Sequence, residues 1–106
     1  MGTAGRAGVI PGAPALTAEA RPRLAPKVRL RFDRKGERWM LLYPERGLVL
    51  NPTAADVLQR CDGLRTVGSI VEELAQQYGH EVPSVEHEVM TFLQTMADRG
   101  LVPAAG

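Results

Sequence analysis

Apolar and polar residues alternate between positions 28 and 33, and this period of two predicts a half-buried β-strand. A second strand is predicted over 38–43, whose three consecutive apolar residues indicate that both faces are at least partly covered. A third strand, over 48–50, follows the Pro-Glu-Arg-Gly segment 44–47, where proline favours a turn and glycine can adopt a positive φ. Short turns such as this one and 34–37 predict an antiparallel meander with the first and third strands at its edges.

After the third strand the period changes to that of a helix. Pro52 cannot continue a strand ladder but suits the first turn of a helix, with Asn51 or Thr53 as the N-cap. The apolar stripe of this helix consists of Ala54, Val57, Leu58 and Cys61. Asp62 and Gly63 follow, and we expect Gly63 to end the helix as its C′ residue.

Two further helices are predicted. Thr66 caps the second helix, which ends at Gly79, and Ser84 caps the third, which ends at Gly100. Their buried stripes are Val67, Ile70, Val71, Leu74 and Tyr78, and then Val85, Val89, Phe92, Leu93 and Met96. Three strands followed by three helices predict an α+β fold, and the last two helices have the form of a helix-turn-helix.

Composition divides the chain into two parts. Residues 1–20 are rich in Gly, Ala and Pro without periodicity, which predicts a disordered tail or a linker before a single domain over 21–106. No apolar run approaches the roughly 18 residues that span a bilayer, and 1–20 lacks the apolar segment of a signal peptide. Cys61 is the only cysteine, which excludes an internal disulfide and fits a reducing cytoplasm.

Few residues could carry chemistry. His80 and His87 have no second ligand at metal spacing, which favours solvent-facing roles. Cys61 lies on an apolar stripe, which favours a buried structural thiol over a nucleophile. The glutamates at 72–73 and 86–88 have no neighbouring nucleophile, and the glycines of 2–12 precede no strand–helix unit that could hold phosphate. The sequence therefore predicts no enzyme, no metal site and no directly bound cofactor.

Charge is unevenly distributed. Eight of the 13 basic residues lie in 21–38, whereas from position 64 onward two basic residues stand against six acidic ones. A DNA-recognition helix presents mainly Arg, Lys, Asn or Gln. The third helix instead directs outward Glu86, His87, Glu88, Thr91, Gln94 and Asp98. Such a face would repel phosphate, so a winged-helix nucleic-acid-binding domain is kept only as an alternative.

The third strand, 48–50, is uncharged and apolar, and proteins rarely leave such a strand bare at a sheet edge. A helix or the N-terminal segment could cover it; alternatively, an extended peptide could pair with it by β-augmentation. Strand hydrogen bonds alone would contribute about 2–7 kcal/mol, less than the roughly 8 kcal/mol of micromolar binding. Apolar anchors must supply the rest, and the candidates along the third helix are Val85, Val89, Met90, Phe92 and Leu93.

Several segments, taken in order, are similar to one known family. They are Pro22-Arg23-Leu24, Trp39-Met40-Leu41-Leu42-Tyr43-Pro44-Glu45, Leu50-Asn51-Pro52-Thr53-Ala54 and Cys61-Asp62-Gly63. In this arrangement they resemble the PqqD family of pyrroloquinoline quinone biosynthesis. The resemblance spans about 21–102 and leaves 1–20 outside.

The resemblance implies a winged helix-turn-helix-like recognition domain without catalytic activity. Such domains bind the precursor peptide PqqA and present it to the radical SAM enzyme PqqE, and in some bacteria they are fused to the oxidase PqqC. In related recognition domains the peptide adds a strand to the third strand, beside the third helix. Carried over to this sequence, the implied contact residues are Leu48, Val49, Leu50, Val85, Val89, Met90 and Leu93. A structural domain that docks on a fused enzyme is a further alternative.

Overall fold

The computed structural model describes residues 16–44 and 46–103. Within them the chain forms an α+β domain in which a three-stranded antiparallel sheet precedes three helices, and this confirms the predicted fold class. The elements are β1 (Arg29–Asp33), β2 (Arg38–Tyr43), β3 (Arg46–Leu50), α1 (Pro52–Gln59), α2 (Val67–Tyr78) and α3 (Val82–Asp98). The predicted tail lies outside the described residues as far as position 15.

The sheet has the strand order β1-β2-β3, so β1 and β3 are its edges, as predicted. The register pairs Leu30 with Leu41 and Leu41 with Leu48, which places these three side chains on one face of the sheet. That face packs against the helices, because Leu41 is fully buried and the other two contact the core. The opposite face carries Arg31, Met40 and other side chains that are at least partly exposed.

The turn between β2 and β3 is tighter than the sequence suggested. Tyr43 pairs with Arg46, so the connection has only two residues and Gly47 lies inside β3, opposite Leu42. Gly47 therefore does not provide the positive φ expected of it, and that prediction is wrong. A different constraint favours glycine here, since a Cβ at this position would approach Leu42 Cδ2 to 3.0 Å.

Helix α1 begins as predicted but ends earlier. The Asn51 side chain accepts a hydrogen bond from the Ala54 amide at 2.7 Å, so Asn51 rather than Thr53 is the N-cap. The helix ends at Gln59 because the next amides bond three residues back, in the tight pattern of a final turn. The prediction that Gly63 ends α1 is thus wrong. Its positive φ of 80° instead lets its amide donate to the Pro22 carbonyl at 2.9 Å.

Both ends of α2 are as predicted. The Thr66 hydroxyl accepts a hydrogen bond from the Ser69 amide at 3.1 Å, and Gly79 ends the helix in the left-handed conformation with φ 69°. The first two amides of the helix, at Val67 and Gly68, donate to carbonyls of residues 20 and 18 at 2.9 Å each. The segment before the predicted domain start at 21 therefore completes the cap of α2, and its contacts extend back to Leu16.

Helix α3 begins earlier than predicted. Its N-cap is Glu81, which makes no side-chain capping hydrogen bond, and Val82 and Pro83 form its first turn. Ser84 therefore lies inside the helix, and the prediction that it caps α3 is wrong; Pro83 is compatible with a helical first turn and does not delay the start. At the other end Gly100 has a φ of 75° and leads into the buried pair 101–102.

Candidate functional site

The free margin of β3 is called here the β3 edge, and two of its residues have backbone N–H and C=O groups that are not paired with β2. A two-residue connection makes its flanking residues, Tyr43 and Arg46, a hydrogen-bonded pair, and such pairs alternate along an antiparallel ladder. Leu48 and Leu50 are then bonded to β2, whereas Gly47 and Val49 direct their N–H and C=O groups away from it. Val49 is also 55% exposed. The β3 edge can therefore accept another backbone.

The side chains of β3 alternate in burial along the strand. Leu50 is buried and Leu48 is half-buried, and both lie on the face that packs against the helices. Val49 lies on the opposite face, beside its partner Met40. A backbone paired with the β3 edge would thus direct alternate side chains toward the helices and toward the outer face of the sheet.

Beside the end of β3 lies the surface called here the helix groove, which consists of two adjoining cavities of about 250 and 280 Å³. Thr53, Glu88 and Val89 line both cavities. The first cavity is completed by Asn51, Ala54, Val57 and Phe92, and the second by Leu74, Tyr78, His80, Ser84 and Val85. Because Asn51 directly follows β3, the helix groove begins where the β3 edge ends.

Helical periodicity and capping build the helix groove. Val85 and Val89 are separated by four residues and lie on one face of α3, with Phe92 three residues further on. The Asn51 cap fixes the start of α1, which forms the opposite wall. The Tyr78 hydroxyl, at the end of α2, hydrogen-bonds to the Asp56 carboxylate of α1. Burial and this hydrogen bond raise the pKa of Tyr78, so the phenol stays protonated and holds α1 against α2.

The structure brings together most of the residues implied as peptide contacts. Val85 and Val89 line the helix groove, and positions 48–50 form the strand that leads to it. Met90 is half-buried against the core and lines neither cavity of the helix groove. Leu93 is 1% exposed and lines neither cavity, so it lies beneath the surface, whereas Val89, although only 2% exposed, lines both cavities. The contact assignments of all seven residues stay predictions.

Only Val85 and Val89 of the helix groove were among the implied contacts, and three of the other lining residues had been interpreted differently. Thr53 had been considered only as a cap, and Glu88 only as part of a solvated helix face. Phe92 had been placed on the apolar stripe and named as a candidate anchor, though not as an implied contact, and the structure finds it half-buried in the wall of the groove. The spacing of Glu88 and Phe92, four residues apart, is the signal that could have placed both on one wall of a groove.

Candidates for catalysis are sparse in this part of the molecule. Burial, reinforced by the adjacent Asp62 charge, raises the pKa of Cys61 to about 12, so its thiol is a poor nucleophile. Within residues 16–44 and 46–103, no three His, Cys, Asp or Glu side chains come together as a possible metal site. In the same residues no helix is long and apolar enough to cross a membrane. The apolar side chains of the helix groove, among them Val85, Val89 and Phe92, give it a surface suited to apolar groups of a ligand.

The comparisons with known proteins agree on one family. Residues 38–102 match the family model of PqqD, described as coenzyme PQQ synthesis protein D. A relative from Rhodopseudomonas palustris strain BisB5, named PqqA binding protein, is 38% identical over 86 residues, which are 81% of this chain and 84% of the relative. One from Xanthomonas axonopodis pv. citri, with the same name, is 36% identical and covers 82% and 95% of the two chains.

Two solved structures extend this agreement to the fold. The solution structure of the PqqD truncation of Methylobacterium extorquens PqqCD, described as a functional and stand-alone RiPP recognition element, matches with a TM-score of 0.73 and 34% identity. The match covers 83% of this chain and 94% of that one. The crystal structure of PqqD from Xanthomonas campestris matches with a TM-score of 0.51 and 31% identity, covering 81% and 96%. The chain belongs to the PqqD family.

Proposed function

We propose that this chain is a non-catalytic peptide chaperone of pyrroloquinoline quinone biosynthesis, which binds the peptide PqqA by adding it as a fourth strand to the β3 edge. The observation that supports this most directly is the outward-directed backbone of Gly47 and Val49 beside the helix groove. The names of the relatives, PqqA binding proteins, supply the identity of the peptide. Side chains of the bound strand that face the helices then enter the helix groove.

The energies require both parts of the site. Two outward residues on β3 offer about four backbone hydrogen bonds, each with a net value of roughly 0.5–1.5 kcal/mol. Their sum, about 2–6 kcal/mol, is less than the roughly 8 kcal/mol of micromolar binding, and association adds its own entropic cost. One buried aliphatic or aromatic side chain contributes about 1.5–3 kcal/mol. Micromolar affinity therefore needs at least two such anchors in addition to the strand hydrogen bonds, and the helix groove is the surface that can receive them.

The proposal includes a handover step. After capture, the peptide is presented to the radical SAM enzyme PqqE in the cytoplasm. Because β3 spans only five residues, the parts of the peptide beyond the added strand stay free for the enzyme. Association with the oxidase PqqC is also part of the proposal. Its support is that one structural neighbour is a truncation of PqqCD.

The alternatives make different predictions. A nucleic-acid-binding domain would need a cationic recognition helix, but the exposed side chains of α3 include Glu86, Glu88 and Asp98. A docking domain fused to an enzyme would show no affinity for an isolated peptide. Titration with peptide and with duplex DNA therefore separates the three functions.

The first experiment is an NMR titration of the ¹⁵N-labelled chain with a synthetic PqqA peptide. We expect the largest amide shifts at Gly47 and Val49 and along the α3 wall of the helix groove. Shifts confined to the far edge, β1, or the absence of any shift at millimolar peptide, would contradict the proposed function. Duplex DNA in the same buffer serves as the ligand for the nucleic-acid alternative.

A variant pair tests the β3 edge itself. Val49→Pro removes one outward donor without breaking the β2–β3 ladder, and proline is tolerated in edge strands. Val49→Ala shortens the side chain but keeps the donor. We expect at least a tenfold loss of affinity for Val49→Pro and less than a threefold loss for Val49→Ala, measured by fluorescence anisotropy with circular dichroism as the control for folding. PqqA peptides carrying single N-methyl amides test the same hydrogen bonds from the ligand side.

A further inference from the structure

A separate cavity, called here the cationic cavity, lies at the opposite end of β3 from the helix groove. Its volume is about 720 Å³. The described residues that line it are Ala25, Pro26, Lys27, Val28, Tyr43, Pro44, Arg46, Arg99, Gly100 and Leu101. Three of these are cationic and none is acidic, whereas Val28 and Leu101 give it an apolar floor. The position of this cavity relative to β3 suggests what it binds.

The helix groove and the cationic cavity lie at the two ends of the β3 edge. Arg46 is the first residue of β3 and lines the cationic cavity, whereas Asn51 follows the last residue and lines the helix groove. On α3, Phe92 lines the helix groove and Arg99, at the end of the helix, lines the cationic cavity. The two α3 positions are about 10 Å apart along the helix, and β3 is roughly 14 Å long between its end residues. A peptide on the β3 edge would have the helix groove at one end and the cationic cavity at the other.

We propose that the cationic cavity binds acidic side chains of the same peptide that pairs with the β3 edge. The inference rests on the proposed function and adds to it a carboxylate subsite. Guanidinium groups such as those of Arg46 and Arg99 bind carboxylates in paired, charge-assisted hydrogen bonds. Lys27 adds a third positive charge and the Tyr43 hydroxyl a neutral donor. All three cations are exposed to solvent, so the ion pairs that they form with a ligand weaken as the salt concentration rises.

This subsite would give the bound peptide a direction. An apolar side chain in the helix groove and a carboxylate in the cationic cavity must be separated by about the length of β3, or four to five residues of extended chain. A peptide entering in the reverse direction would place its acidic residue beside Glu88 in the helix groove. The two ends therefore discriminate between orientations by charge.

Arg99 also has a structural role that the test must separate from binding. A cation at the end of α3 interacts favourably with the helix dipole, so its loss lowers stability even if it touches no ligand. If Arg99 acted only by stabilising α3, its loss would weaken binding of every peptide equally, whether or not the peptide carries acidic residues. The experiment therefore varies charge on both partners.

The test compares two double variants of the full chain. Arg46→Gln/Arg99→Gln removes two charges from the cationic cavity, and the control Arg29→Gln/Arg31→Gln removes two exposed charges from β1. A fluorescein-labelled synthetic PqqA peptide is titrated with each protein at 50 and 300 mM NaCl. We expect the first variant to raise Kd at least tenfold at low salt and to flatten its salt dependence, and the control to raise Kd less than threefold. Thermal unfolding of both variants corrects for any loss of folded protein.

The second arm uses PqqA peptides in which each Asp or Glu is replaced singly by its amide. At least one replacement should weaken binding to the wild-type chain and have no further effect on Arg46→Gln/Arg99→Gln. Equal affinities of the two double variants, or additive effects of peptide and protein changes, would overturn the carboxylate subsite while leaving strand addition intact. Loss of the proposed function has a different signature: the wild-type chain would not bind PqqA, or Val49→Pro would bind normally.

Discussion

The thiol of Cys61 is held in its neutral form by its surroundings. The residue is 6% exposed, and its Sγ donates to the Val57 carbonyl at 3.3 Å. Burial first, and then the charge of Asp62, raises its pKa from 9.0 to about 12. The folded chain therefore holds this proton more tightly than the unfolded chain does. The resulting stabilisation is complete below about pH 9 and is lost as the pH rises toward 12.

Cys61→Ala isolates this effect. We expect the free energy of unfolding of the wild-type chain to fall between pH 9 and 11 relative to that of the variant, by about 1.4 kcal/mol for each pH unit above 9. Tyrosine and lysine titrations occur in both proteins and cancel in the difference. Urea denaturation at several pH values gives the measurement. Parallel pH curves, or rapid reaction of the native thiol with a disulfide reagent at pH 8, would contradict the assigned burial.

At the scale of the element, the start of α3 has an unused capping position. Glu81 has the extended backbone of an N-cap, with φ −73° and ψ 142°, but its side chain makes no capping hydrogen bond. Aspartate is a preferred N-cap residue because its shorter side chain can accept from the amides of the first turn. The position therefore allows α3, and with it one wall of the helix groove, to be stabilised by a single change.

We expect Glu81→Asp to raise the free energy of unfolding by about 0.5–1 kcal/mol. Glu81→Gln is the matched control, because it keeps the long side chain and removes only the charge. Urea denaturation of the three proteins gives the measurement: the midpoints are compared with a common slope of unfolding free energy against urea concentration. If Glu81→Asp is no more stable than the wild-type chain, Glu81 is not the functional N-cap of α3.

Elements bounded by local chemistry were predictable from the sequence. Thr66 and Gly79 define α2 through one capping hydrogen bond and one left-handed residue, both of which depend on neighbours only a few positions away. The starts of β3 and α3 depended on more than local residue type. Gly47 is a common turn residue but pairs with Leu42, and Ser84 is a common cap but follows a first turn that contains Pro83. In both cases a residue type that is common at the end of a strand or the start of a helix lies inside the strand or helix instead.

At the scale of the whole molecule, the site was predictable only in part. The β3 edge follows from strand order, which short turns impose, so sequence alone could locate it. The helix groove could not be derived in this way because Thr53 of α1 and Glu88 of α3 come to line one cavity only in the folded chain. The cationic cavity joins Lys27, Arg46 and Arg99, which are far apart in sequence. Periodicity places each residue on a face of its own element but does not pair faces of different elements.

The segment before β1 contributes to the fold through α2. A helix leaves its first amides without intrahelical partners, and here two of them bond to the carbonyls of Ala20 and Ala18. Ala20 is 6% exposed, and Leu16 packs against the core. Although residues 1–20 read as a tail in the sequence, positions 16–20 thus act as part of the folded domain.

Two shortened chains test this role. We expect a chain that starts at Arg21 to be less stable than one that starts at Leu16 by about 2–4 kcal/mol, the value of two backbone hydrogen bonds and roughly 1 kcal/mol of apolar burial. Because the loss falls on the first turn of α2, hydrogen exchange at Val67 and Gly68 should accelerate more than exchange at Leu48 and Leu50, whose amides bond to β2. Urea denaturation measures the first difference and NMR-detected exchange the second. Equal urea midpoints would place the start of the folded domain at 21 and would reduce the Ala18 and Ala20 contacts to surface hydrogen bonds that water can replace.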